Sequence, residues 1–226
     1  MNTAVSHYVW EPLKTAGRKF AFLDRSVFQV IFLVLFLGLV ELTASTNVSA
    51  TIKLAASTAA AAVSIMFYIR AFTTKGAAVV CWNLIMLGHV FSIMFLALAA
   101  DGNWKYLAMY GAGVVLAFVM GHLCLWYLAM KSHASTLQDY QGAIYVFAKL
   151  GNFFFIVCLL FMAFPISPSF LAQDILLGLI PGSHVLQTVL FCFSYLLVGV
   201  STMRLYTKIF FGPHKTSYHE RAYKSS

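Results

Sequence analysis

Charge is what this sequence has least of. Only 10% of its 226 residues are Asp, Glu, Lys or Arg, and seven of them are acidic. An ordinary soluble domain carries about 25%, so a water-facing exterior is excluded. Cysteine is sparse as well. Cys81, Cys124, Cys158 and Cys192 fall in separate apolar segments without paired spacing. That excludes a disulfide framework and a thiolate zinc site, and leaves small apolar core residues. Heptads, low-complexity tracts and a nucleotide-binding glycine pattern after a strand are all missing. So is a nucleophile–base pair, and no catalytic residue, cofactor or metal site is expected in this chain.

What is present is apolar. The chain is 61% hydrophobic with a mean hydropathy of +0.84, the composition of an integral membrane protein. The net charge of +8 would suit nucleic acid in another context. Here the basic residues flank apolar runs, so the partner is the lipid bilayer and nucleic acid is excluded.

The expected fold is all-α, a polytopic transmembrane helix bundle of about six spans with the last one discontinuous. Residues 1–26, with Trp10, Lys14, Arg18, Lys19 and Arg25, suit an interfacial N-terminal segment. Val48-Ser49-Ala50 could pass as a signal cleavage site, but the polar region before the apolar run is too long for a secretory signal. The transmembrane domain covers 27–212, with spans near 27–44, 51–72, 78–100, 104–130 and 145–164 and a broken pair 169–180/183–211. Residues 213–226 form a basic tail. Counting the broken pair as one crossing puts both termini on the cytoplasmic side, with twelve basic residues there and only Lys53 and Lys105 outside. The bacterial inner membrane is the expected location.

The interruption is the unusual feature. Pro165, Pro168 and Pro181 are three of the five prolines, and Gly182 follows the last. Proline removes a backbone donor and clashes with the preceding turn, so a straight helix cannot pass. Gln173 and Asp174 follow the proline-broken entry, where free amides stabilise a carboxylate. A helix cap is the plainer role for them; an ion site beside unwound backbone is the functional one.

Other ionisable residues in the spans each carry two readings. Glu41 is either a snorkelling interface carboxylate or an acid in a proton path. His89 and His122, each preceded by glycine, are either hydrogen-bonded helix contacts or relay imidazoles. Lys149 is either an anchor at the inner surface or, if turned inward, a proton carrier of lowered pKa. Arg204 and Lys208 suit interfacial anchoring.

The run Phe164-Pro165-x-x-Pro168-x-Phe170-x-x-Gln173-Asp174-Ile175-Leu176 resembles the proton-translocating membrane subunits. These include the antiporter-like subunits of respiratory complex I, Mrp-type antiporter subunits, hydrogenase membrane subunits and the membrane partner of the DAB inorganic-carbon uptake complex. Gly121-His122-Leu123, the Thr136–Gly142 loop and Phe210-Phe211-Gly212 are similar to further family features. The likeness covers about residues 115 to 213 and is that of the C-terminal repeat alone. It implies proton or cation translocation within a multisubunit complex, other membrane subunits as partners, and in the DAB-type case a soluble zinc-containing partner that hydrates CO2. Asp174, His122, Lys149, His89 and Glu41 would form the pathway. Two departures stand out: there is room for only one repeat, and Gln173 occupies the position that usually holds Glu or Lys. The other class of function is a membrane scaffold that does not transport.

Overall fold

The computed structural model describes residues 10–44, 49–100, 103–131, 136–165 and 167–213. Parts of the expected N-terminal segment (1–9) and basic tail (214–226) therefore lie outside the described residues. Within them the chain is all-α. Eight α-helices follow in order: α1 Glu11–Lys19, α2 Ser26–Ala44, α3 Ala50–Thr73, α4 Ala78–Ala99, α5 Trp104–Lys131, α6 Ala148–Phe161, α7 Pro168–Gly178 and α8 Val185–Phe210. Single 3-10 turns occupy Ala21–Asp24 and Ala143–Tyr145.

Four helices, α3, α4, α5 and α8, are long and apolar enough to cross a membrane. At 1.5 Å per residue each exceeds the ~30 Å of a hydrocarbon core. Helices α2 and α6 are apolar but shorter. Helix α4 is the centre: 61% of its apolar window is buried, against 33–39% for the other three. It packs on α2, α3, α5 and α8, while α3 also packs along α8 and α5 carries α6 and α7. The α3–α8 contact is tied by polar groups: Gln187 donates to Thr58 at 3.1 Å and Ser201 to the Tyr68 carbonyl at 3.0 Å. Such bonds hold helices together where lipid supplies no hydrophobic driving force.

Most of the basic residues gather at one end. There Arg70 pairs with Asp24 through both carboxylate oxygens and donates to the Gly17 carbonyl at 3.1 Å. Together with Trp10 stacked on Phe72, this docks α1 on the end of α3. The loop before α6 is pinned at the same end: Leu137 N donates to Gly76 O, Gln141 N to Lys208 O and Gly142 N to Phe211 O. Gly142 takes φ +65, and a Cβ there would press on the Pro213 carbonyl. Arg204 and Lys208 are more than anchors. Arg204 donates to Thr74 O and lies over Phe72, and Lys208 covers Tyr140.

The interruption falls differently from its expected place. The ring of Phe161, the last residue of α6, is 4.2 Å from Trp82 and 4.9 Å from His89 between centroids, so α6 stops beside the middle of α4. Ser169, in the first turn of α7, lies against Gly113 of α5, and the turn after α7 brings Pro181 beside Leu98 and Ala99. Helix α7 thus extends beyond α6, with the break between them at 162–167, and α8 runs uninterrupted. The prolines account for the shift. Pro168 opens α7, where a missing N–H costs nothing, and Pro181 sits in a reversing turn closed by His184 N on Pro181 O.

Glycines set how closely the central helices approach. A Cβ at Gly88 would overlap the Tyr68 ring, and one at Gly121 the Trp82 ring. Gly38 of α2 has open space around it. Gly88→Ala and Gly121→Ala should each destabilise by about 1–3 kcal/mol through overpacking. Gly38→Ala should stabilise by about 0.5–1 kcal/mol through reduced backbone entropy. Thermal unfolding of the detergent-solubilised variants reads the opposite signs directly.

Candidate functional site at the interrupted helix

The break meets its own backbone requirements. Ala163 adopts φ 50, placing it in the left-handed region that usually takes glycine at a helix end. Its N–H donates to Leu160 O at 3.1 Å, and Phe164 N–H donates to Leu159 O at 3.0 Å. This pair of bonds is a Schellman closure, formed here around alanine at a strain of about 1 kcal/mol. Beyond it, Ser167 Oγ donates to Phe164 O at 2.8 Å and accepts from Phe170 N at 3.2 Å, capping α7. The Ala163 carbonyl receives the Tyr195 hydroxyl from α8 at 2.9 Å. The break is therefore a fixed turn, tied across to a neighbouring helix.

Beside it lies a buried polar cluster. His89 is 1% exposed, and its Nδ1 is 2.9 Å from the Tyr110 hydroxyl. Its Nε2 has no hydrogen-bond partner, although it lies beside the backbone carbonyl of Phe161. The Tyr68 hydroxyl, from α3, shares a hydrogen bond with Ser92 at 3.2 Å, and its ring stands edge-on to His89. Tyr195 is within electrostatic reach of Tyr110. Neutral imidazole has one donor and one acceptor nitrogen. If Tyr110 donates to Nδ1, Nε2 carries the proton; if Nδ1 donates, Nε2 is an open acceptor. An exchange of those two arrangements moves a proton across the ring.

Between α7 and α8 a cleft of about 270 Å³ is lined by Phe170, Gln173, Asp174 and Leu177 on one side and by Phe191, Cys192, Tyr195 and Leu196 on the other. Gln173 is buried and Asp174 exposed. Tyr195 belongs to this cleft and to the break, so it stands between Asp174 and the His89–Tyr110 pair.

The remaining expected residues are more scattered. His122 is half-buried with Nδ1 unpartnered, and its ring packs on Phe118 at 5.7 Å. Phe118 in turn meets Phe161, so two aromatic rings separate the histidines. Lys149, near the start of α6, is exposed, and Glu41 is exposed near the end of α2. Among the described residues no group of three His, Cys, Asp or Glu side chains is placed to hold a metal. Tyr68, Tyr110, Tyr195 and Ser92 were not foreseen from sequence. The usable signal was their position: a tyrosine far from a helix end must bury its hydroxyl against a partner.

Comparison of the chain with protein families, with characterised proteins and with solved structures finds no match.

Tyr110→Phe leaves the buried Nδ1 of His89 without its partner, at a cost of about 1–2 kcal/mol. In the double variant His89→Leu/Tyr110→Phe the orphaned group is gone, so the two losses should not add. A double-mutant cycle in detergent measures that coupling, and strict additivity would mean that the pair does not interact.

Proposed function

We propose that this chain is a membrane subunit of a multisubunit proton-translocating complex, similar to the C-terminal repeat of the antiporter-like subunits. In this reading α2, α3, α4, α5, α6 with α7, and α8 make six crossings, the fifth being broken near its middle. Both termini then share the face where Lys14, Arg18, Arg70, Lys75 and Lys131 collect, which is the cytoplasmic face by the positive-inside rule. The complex is of the respiratory kind or of the DAB inorganic-carbon uptake kind, in a bacterial inner membrane.

One observation carries the proposal: a helix broken at mid-bundle stands directly against a buried histidine, whose Nε2 has only the Phe161 carbonyl of the broken helix beside it. Ionisable groups at membrane depth are expensive and mark ion pathways, and interrupted helices supply the unwound backbone around which such paths hydrate. The proton would enter near Lys149, pass His122, and cross to His89 and Tyr110. From there it would leave through Tyr195 and Asp174 in the α7–α8 cleft. Water bridges the gaps that Phe118 and Phe161 occupy when the path is closed. A charge arriving at one station lowers the proton affinity of the next, which gives the steps their direction. Energy comes from partner subunits.

A scaffold that does not transport is the second reading. It is favoured by the exposure of Lys149 and Glu41 away from the break and by the non-titrating Gln173 at the family's usual acid or lysine position.

Flux through the intact complex, reconstituted in proteoliposomes, separates the two. Asp174→Asn and His122→Ala should each lower proton flux tenfold or more, a rise of ~1.4 kcal/mol or greater in the barrier, with normal assembly on blue native gels. Undiminished flux in assembled complexes carrying both substitutions leaves only the scaffold.

A further inference from the structure

We infer that the groove between α2 and α5 binds one anionic phospholipid from the leaflet at the basic face. The groove, of about 340 Å³, is floored by α4 and walled by α2 and by Phe118 of α5. Its lining is graded along its length. Ser26 and Gln29 lie in the first turn of α2, and Asn83 lies early in α4; both helices start at the basic end. Val30, Leu33, Met86 and Leu87 follow further along the same two helices, with Phe118 facing them. At 1.5 Å per residue the three polar side chains fall within about 8 Å of where their helices begin. That is about the thickness of the layer holding headgroups and ester groups on each side of the hydrocarbon core. Two helices thus show the same order, polar where a lipid is polar and apolar where its acyl chain runs.

The polar end is unsatisfied. Asn83 is half-buried and makes no hydrogen bond among the described residues. An amide left unpaired at the edge of hydrocarbon is costly, and an ester carbonyl accepting from its Nδ2 removes that cost. Ser26 Oγ is also without a partner among the described residues. Gln29 donates from Nε2 to Leu23 O at 3.1 Å, which leaves its amide oxygen to accept from a headgroup hydroxyl. The charge at the mouth has one sign. Arg25, next to Ser26, is exposed and forms no ion pair among the described residues, while Asp24 is taken up by Arg70. A phosphodiester meets the free guanidinium there. Size excludes a partner helix: the groove runs along α2 only from Ser26 to Leu33, about 10 Å. A transmembrane helix is itself about 10–12 Å across and spans ~30 Å. The site requires that the chain lie in a bilayer and is independent of proton transfer.

The test titrates the delipidated full chain, in detergent, with dioctanoyl phosphatidylglycerol and with the phosphatidylcholine of the same chains. Native mass spectrometry should show one phosphatidylglycerol bound at saturation, and the unfolding temperature should rise to a plateau. The half-saturating concentration should be about fivefold or more higher for phosphatidylcholine, and for phosphatidylglycerol on Arg25→Gln or Asn83→Leu. Leu33→Trp, which fills the groove from an exposed position, should abolish saturation. Val34→Trp, exposed on α2 outside the groove, should bind as the wild type does. Circular dichroism and gel filtration establish that each variant is folded. Equal half-saturation by the two lipids overturns the site, as does a non-saturating response or wild-type binding in both Asn83→Leu and Leu33→Trp. A two-chain species in place of the lipid adduct, lost in Leu33→Trp, also overturns it and would make the groove a seat for a second copy.

Discussion

A helix that stops beside the middle of its bundle must satisfy its last carbonyls without water, and the rest of this structure is arranged around that requirement. In a bilayer each unsatisfied backbone group costs several kcal/mol. Here the Schellman closure at Ala163 takes up the Leu159 and Leu160 carbonyls, Ser167 the Phe164 carbonyl and the Phe170 amide, and the Tyr195 hydroxyl the Ala163 carbonyl. Alanine at a left-handed position adds strain, and the bond from Tyr195 to its carbonyl holds that conformation from the outside. The Phe161 carbonyl is the one that faces His89. The break and the histidine are thus two halves of one arrangement, an acceptor at the end of a helix and a ring nitrogen with nothing else to bond.

The same region explains why glycine precedes each histidine. Gly88 lets the Tyr68 ring lie against α4, and Gly121 lets Trp82 lie against α5. Trp82 then stacks on both Phe154 and Phe161 and donates to the Phe118 carbonyl. Close approach at two glycines therefore positions the aromatic wall that seals His89 from His122. In the proposed route this wall would be the barrier, and rings yield to small rotations where backbone does not.

Composition and hydropathy made the all-α, helix-bundle character and the helix positions legible, because spans of ~20 apolar residues announce themselves without any partner. The ends of α3, α4 and α5 fall within a residue or so of where the apolar runs end. The pairing across the break was not legible. Pro165, Pro168 and Pro181 all say that a helix stops, but none says which neighbouring pieces lie end to end. That depends on long-range contacts such as Phe161 with Trp82 and Ser169 with Gly113. For the site, ionisable residues were easy to find because charge is rare. The tyrosines were not, since each looks apolar until a partner for its hydroxyl is known, and Tyr68, Tyr110 and Tyr195 come from three different helices.

Placing the break between α6 and α7 constrains any relay through this chain. Lys149 lies twelve residues before Phe161, a rise of about 18 Å along α6. Asp174 lies six residues into α7, about 9 Å past the break. Proton transfer proceeds over hydrogen-bond distances, so these two groups cannot exchange directly, and a path between them must use stations at the level of the break. Among the ionisable and hydroxyl side chains at that level are His122, His89, Tyr110 and Tyr195, carried by α4, α5 and α8. In the proposed relay, transfer would therefore depend less on the acid in the broken helix than on whether the three helices around the break keep those four side chains within reach of water.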